Sequence, residues 1–283
     1  MTMATSYFKN KKCLVTGAAS GIGNAVAFQL AEHGAVLFLT DINDKGLQDT
    51  VDQIRAKNGK VGTYKTLNIT DFEQVEQFAK EIHEQHTAMD MVMNIAGISA
   101  WGALDKMKHE EWRSIIDINL MGPIYILETF GPEMIKKQQG HIVNVSSAAG
   151  LFGLPWHGAY SASKYGIRGL SDVLRYDLKR HNIRVHLVCP GAVDTGLVHS
   201  IKISGVTIAD EELKMLKTRF QKHAIKPAQA AKSILHGIEK NQYMIYTSFD
   251  IRFGYWVQRK FTFIYDWAMQ KMNDYFQKTL SGK

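Results

Sequence analysis

Seven short β-rich runs, at positions 13–16, 35–40, 61–67, 89–94, 141–146, 183–189 and 243–246, alternate with longer segments of helical periodicity. Several runs are apolar nearly throughout, the pattern of strands buried on both faces. The intervening segments 43–57, 72–85, 110–137 and 159–181 read as amphipathic helices. In the second of these, Phe72, Val75, Phe78, Ala79 and Ile82 recur at helical spacing, which core packing explains. Strand alternating with helix predicts an α/β fold with a doubly wound parallel sheet and helices on both faces. Sheets of this kind place ligands beyond the carboxyl ends of their strands.

Composition narrows the class. With 45% hydrophobic and 22% charged residues the chain is too apolar to be disordered. Its 34 Lys and Arg against 27 Asp and Glu leave a charge of +7, which suits an acidic ligand, a membrane surface or nucleic acid equally. No dense Lys/Arg run is present, so a nucleic-acid partner is not expected. Cys13 and Cys189 lie inside apolar runs and read as buried thiols, and no Cys/His cluster has metal-ligand spacing. Nothing before Cys13 resembles a signal peptide, and no apolar run reaches the ~18–20 residues that span a bilayer. The expectation is a cytoplasmic protein in a reducing compartment.

Four motifs then carry chemistry. Thr16-Gly17-Ala18-Ala19-Ser20-Gly21-Ile22-Gly23 follows the first strand and opens a helix. Gly17 permits a tight turn, Gly21 a close approach of pyrophosphate to backbone, and Gly23 close helix–strand packing. Asp41 ends the next strand, where a carboxylate accepts both ribose hydroxyls of the adenosine half of NAD. A 2′-phosphate there would meet a like charge, costing several kcal/mol at an effective dielectric of about 20. Ser20 stands where a cation would have held that phosphate, so the reading is NAD rather than NADP. Asp41 is also placed to cap the helix that follows.

Tyr160 and Lys164, four apart on a helix beginning near His157, share one face. An ordinary Tyr, with a pKa of about 10, is a poor base at neutral pH. A neighbouring ammonium and an oxidised nicotinamide both stabilise phenolate, so Tyr160 can exchange a proton with a substrate alcohol while hydride moves to or from the cofactor. Ser147 directly follows the run 141–146, thirteen residues before Tyr160, placed to hydrogen-bond the substrate oxygen. Ser146 and Ser147 alone would serve equally well to cap a turn.

In this order the motifs resemble the short-chain dehydrogenase/reductase family, in its compact single-domain branch, over about residues 11–246. The resemblance implies a Rossmann-like sheet, a catalytic set of Asn119, Ser147, Tyr160 and Lys164, and an Asn119-held water linking Lys164 to solvent. It aligns Pro190-Gly191-Ala192-Val193-Asp194-Thr195 with the segment that contacts the nicotinamide carboxamide, through Val193 backbone and the Thr195 hydroxyl. Asn94-Ile95-Ala96-Gly97 corresponds to the turn beside the adenosine ribose. The implied cofactor contacts are Gly17, Ser20, Gly21, Ile22, Gly23, Asp41, Asn68, Ile69, Asn94, Ala96, Gly97, Tyr160, Lys164, Pro190, Gly191, Val193 and Thr195. Two departures are visible. Ile95 replaces a usual Asn, removing a hydrogen-bonding side chain from the central sheet. Asn68 stands where an Asp commonly meets the adenine amino group, its carbonyl still able to accept.

The resemblance further implies a substrate pocket between 98–104, 151–157 and an insert at 192–226. The expected contacts are Ser147, Trp101, Phe152, Leu154, Trp156 and Leu197, with Leu151, Val198, Ile201 and Ile203 nearby. That lining suits a bulky apolar alcohol or ketone. His157 reads as a helix-start residue close to Tyr160. The catalytic, dinucleotide-binding domain is expected over 1–250, with a helical extension over 251–283. From Tyr243 to Phe276 there are twelve aromatic residues of the chain's 29. Phe253, Val257, Phe261, Ile264, Ala268, Met272 and Phe276 form one stripe, for which packing, a lid and a peripheral membrane contact are open readings. A homodimer or homotetramer is expected through 110–137 and 159–181. The rival functional readings are an NADPH-linked carbonyl reductase and a non-catalytic dinucleotide sensor.

Overall fold

The computed structural model describes residues 7–196, 202–204 and 224–280. The chain begins β1 (Lys12–Thr16), α1 (Gly21–Glu32), β2 (Val36–Asp41), α2 (Asp44–Ala56), β3 (Lys60–Thr66), α3 (Phe72–His86), β4 (Met91–Asn94) and β5 (Ala100–Trp101). It continues through α4 (His109–Ile116), a π turn (Asp117–Met121), α5 (Gly122–Lys137), β6 (Gly140–Val145), α6 (Gly158–Asp177), β7 (Ile183–Cys189) and β8 (Lys202–Ile203). It closes with α7 (Pro227–Glu239), β9 (Met244–Tyr246), α8 (Phe249–Lys260) and α9 (Thr262–Leu280).

All seven β-rich runs become strands of one parallel sheet in the order β3-β2-β1-β4-β6-β7-β9. Their side chains alternate between two cores, as a period of two requires. Cys13, Val15, Leu37 and Leu39 point to a layer with Val26, Leu30, Ile54 and Ile234. Leu14 and Phe38 point to the opposite layer with Phe78, Ile82, Ile126 and Phe130. Chain direction across the sheet reverses between β1 and β4, which opens a crevice at their carboxyl ends.

Four local features differ from expectation. The cap of α2 is Asn43, whose Oδ1 accepts from Gly46 N at 3.1 Å, and not Asp41. The segment 110–137 is interrupted by the π turn, an insertion that amphipathic spacing does not signal. β5 and β8 pair as a two-residue parallel ladder that no periodicity announces. The tail is two helices rather than one stripe, because Phe261, at φ −136° and ψ 64°, ends α8. Phe253, Phe261 and Ile264 consequently face solvent. Among the described residues no helix is long and apolar enough to cross a membrane.

Candidate active site

The β1–α1 turn cannot carry side chains at its glycines. Gly17 has φ +72°, and a Cβ there would lie 2.8 Å from Ala96 Cα. A Cβ on Gly23 would lie 2.1 Å from the Gly17 carbonyl oxygen. Gly21, at φ +57°, faces Thr195, whose Cγ2 would be 3.2 Å from an added Cβ. The turn and Thr195 therefore meet. Ser20 is the N-cap residue of α1 by position, yet its side chain makes no capping bond. The Asp41 carboxylate is fixed by two backbone donors at 2.9 Å, Ala19 N on Oδ2 and Asn43 N on Oδ1. That pair ties the end of β2 to the glycine turn. The cradle thus fits a dinucleotide: backbone stripped of Cβ atoms, with an oriented carboxylate at its edge.

The neighbouring turn is held by Thr16, a residue the sequence reading passed over. Its Oγ1 accepts from Ile95 N at 3.0 Å and Ala96 N at 3.1 Å. Ile95 packs against the apolar core instead of bonding. A buried polar chain crosses the sheet nearby: Asn94 Nδ2 donates to Asn144 Oδ1, and Asn144 Nδ2 donates to Ser171 Oγ, each at 2.9 Å. Asn68 does not offer a carbonyl as expected. Its Oδ1 already accepts from Thr70 N at 3.1 Å and Thr70 Oγ1 at 2.9 Å, within its own turn. Ile69 is buried in one core, and Ile22 is partly buried against the core on the opposite face of the sheet.

Asn119, Lys164 and Gly97 converge. A Cβ on Gly97 would lie 2.9 Å from Asn119 Oδ1 and 3.4 Å from Lys164 Nζ, so only glycine leaves room for both. Asn119 sits in the π turn, buried, with Nδ2 also donating to Ser163 Oγ at 3.2 Å. Lys164 is buried too, donating to the Val145 carbonyl at 3.1 Å, with Nζ 5.7 Å from the Tyr160 ring centroid. Burial pulls its pKa down to about 8. Ser147 leads out of β6, its Oγ accepting from Ala149 N at 3.1 Å.

The protein's own groups hold Tyr160 above the ordinary tyrosine value, because burial outweighs the hydrogen bond from Ser147. The decrease expected from Lys164 does not emerge from these groups.

The segment 190–193 is anchored by Ala148 N to Pro190 O at 2.8 Å and by pairing of Val193 with Ile225. Gly191 abuts the start of α8, where a Cβ would meet Ile251 Cγ1 at 2.8 Å. On the substrate side Trp101 lies 4.4 Å from the His157 ring, which is 6.4 Å from that of Tyr160. His157 is the residue before α6, buried, its Nδ1 paired with Pro155 O at 2.7 Å. Trp156 adopts φ +64°. Leu154 is half-buried in the same loop. Leu151 is completely buried in a core cluster, so it lines no pocket. Leu197, Val198 and Ile201 lie outside the described residues.

The tail supplies the residues that sequence reasoning missed here. Phe276 stands 6.4 Å from Trp101 and 6.3 Å from Trp156. The Tyr265 hydroxyl accepts from Gly153 N at 2.7 Å, and its ring is 6.4 Å from Phe152. Arg168, one turn beyond Lys164, donates to Gly150 O at 3.2 Å and to the Tyr255 hydroxyl at 2.6 Å. The aromatic richness of the tail was the available signal, though periodicity could not pair its rings with loop 152–156.

Fold and site together define an oxidoreductase built for a nicotinamide dinucleotide, acting on CH–OH or carbonyl groups. The sequence profile of short chain dehydrogenases matches residues 11–204, and the chain belongs to that family. It is 37% identical over 193 residues to the 3-oxoacyl-[acyl-carrier-protein] reductase FabG of Thermotoga maritima, covering 68% of this chain and 78% of the relative. It resembles a short chain dehydrogenase/reductase from Burkholderia phymatum solved with NAD (TM-score 0.80, 26% identity, 91% of this chain and 95% of that one). It also resembles a metagenomic short-chain oxidoreductase solved with NADP (TM-score 0.68, 29% identity, 84% and 97%).

Proposed function

We propose that this protein is an NAD(H)-dependent oxidoreductase that interconverts a hydrophobic secondary alcohol and its ketone. The observation that carries the reading is the meeting of Lys164, Asn119 and Gly97 beside a glycine turn to which Asp41 is hydrogen-bonded. NAD, when bound, supplies the hydride acceptor or donor. Gly17, Gly21, Gly23, Asp41 and Thr195 would hold it. Ser147 orients the substrate oxygen, and Tyr160 moves the proton at that oxygen. Lys164 sits within reach of Tyr160, and Asn119 connects that corner to the Ile98 backbone. The aromatic rim of Trp101, Phe152 and Trp156, roofed by Tyr265 and Phe276, supports an apolar substrate rather than a sugar.

Residues 1–250 act as the catalytic unit in this reading, with 251–283 as an extension. Exposed Val173 and Tyr176 on α6 support assembly with a second copy through that helix. The reductase relative favours ketone reduction as the working direction. A screen of steroids, retinoids and medium- to long-chain alcohols and ketones, read by NADH and NADPH absorbance, tests the proposal. NADH-linked turnover of apolar ketones is the expected result. Strict NADPH use, or no turnover across the panel, would refute it.

A further inference from the structure

The two tail helices present two unlike surfaces. Inward, Tyr265 and Phe276 roof the pocket rim, and a Cβ on Gly254 would sit 3.3 Å from the Phe152 ring. Outward, Phe249 (77% exposed), Phe253, Trp256, Phe261, Phe263 (70%) and Trp267 (65%) stand in solvent. The first five of these rings run in unbroken contact, with successive centroids 6.0, 5.9, 5.6 and 6.5 Å apart. α8 holds no buried residue at all. A contiguous row of this kind marks an interaction face.

Charge selects the occupant. Arg252, Arg259 and Lys260 are exposed among the rings of α8, and Lys271 and Lys278 continue the series on α9. Across both helices the only acids are Asp250, Asp266 and Asp274. Protein–protein interface cores are depleted of charged residues other than Arg, and three of these five cations are Lys. Rings interleaved with cations match the anionic headgroup layer of a membrane instead, where Trp, Phe and Tyr settle and Lys and Arg meet phosphate. Among the described residues no helix is long and apolar enough to cross a bilayer.

We propose that α8 and α9 dock this protein on an anionic lipid surface through the row of rings from Phe249 to Trp267. The inner face of the same helices covers Phe152 and Trp156, so docking sets the pocket rim next to the apolar phase. Delivery of substrate from lipid rests on the proposed function; docking itself does not.

Full-length protein is sedimented with phosphatidylcholine vesicles, with and without phosphatidylserine. Binding to the phosphatidylserine vesicles is expected, weakening at least about tenfold on their removal or in R259E/K260E. The variant F253S/W256S, at exposed positions, is expected to lose binding while keeping its circular dichroism and its turnover of a water-soluble ketone. No sedimentation with either vesicle, or unchanged binding by F253S/W256S, would overturn the proposal. Loss of self-association by that variant in sedimentation velocity, without vesicle binding by the parent, would assign the face to a second copy and likewise overturn it. Y160F is expected to bind vesicles normally, which separates failure of docking from failure of the oxidoreductase reading.

Discussion

Asn119 and Ile98 bond each other twice: Asn119 Oδ1 accepts from Ile98 N at 2.8 Å, and Asn119 Nδ2 donates to Ile98 O at 2.9 Å. The pair fastens the π turn to the strand exit that carries Gly97. It fixes the floor of the corner where Lys164 ends. Replacing Asn119 by Leu leaves a backbone donor and acceptor unpaired in a buried place, each costing about 1–3 kcal/mol. The expected outcome of Asn119→Leu is a stability loss of about 2 kcal/mol or more in urea unfolding, with turnover down at least about tenfold.

Asp41 binds two backbone amides and is the group expected to choose between cofactors. In Asp41→Ala the like charge that disfavours a 2′-phosphate is gone. Fluorescence titration should show NADH binding weakened by about tenfold and the gap to NADPH closed or reversed. Unchanged discrimination would remove Asp41 from that role.

A buried histidine pair gives the protein a pH signature away from the site. His141 Nδ1 and His186 Nε2 are 2.9 Å apart, Tyr7 OH is 2.9 Å from His141 Nε2, and His186 Nδ1 faces Gln242 O. Burial first, and then the neighbouring His186, hold His141 down to about 3; burial also lowers His186. Both are therefore neutral in the fold at pH 7, and the unfolded chain takes up protons first. The His141 contribution is full above about pH 6.5 and falls as pH drops from there toward 3, at up to about 1.4 kcal/mol per pH unit, and the lowered His186 acts in the same direction. Urea midpoints between pH 7.5 and 5 should decline, and His141→Phe should flatten the slope.

How much of this could be read from the chain follows from where the physics is local. Most of the sheet strands were legible because burial on both faces leaves nearly continuous apolar runs, as in 35–40. The glycines of the first turn were legible because left-handed φ at Gly17 and Gly21 and the contact at Gly23 admit nothing larger. The π turn was not, since a single inserted residue shifts the helical register without changing composition. Asn43 rather than Asp41 as cap, and Leu151 as core rather than pocket, turned on offsets of one or two residues. The pairing of Phe276 with Trp101 and Trp156 joins distant parts of the chain, and no sequence period encodes it. Thr16 read as one more strand residue, although its hydroxyl holds the Ile95–Ala96 turn.

The proton-transferring role of Tyr160 is tested most directly by Tyr160→Phe, which removes one hydroxyl and leaves the ring beside Lys164. We expect kcat to fall by at least about a hundredfold while the Kd for NADH stays within about twofold. Near-normal turnover in that variant, with an apolar ketone and NADH, would contradict the assignment.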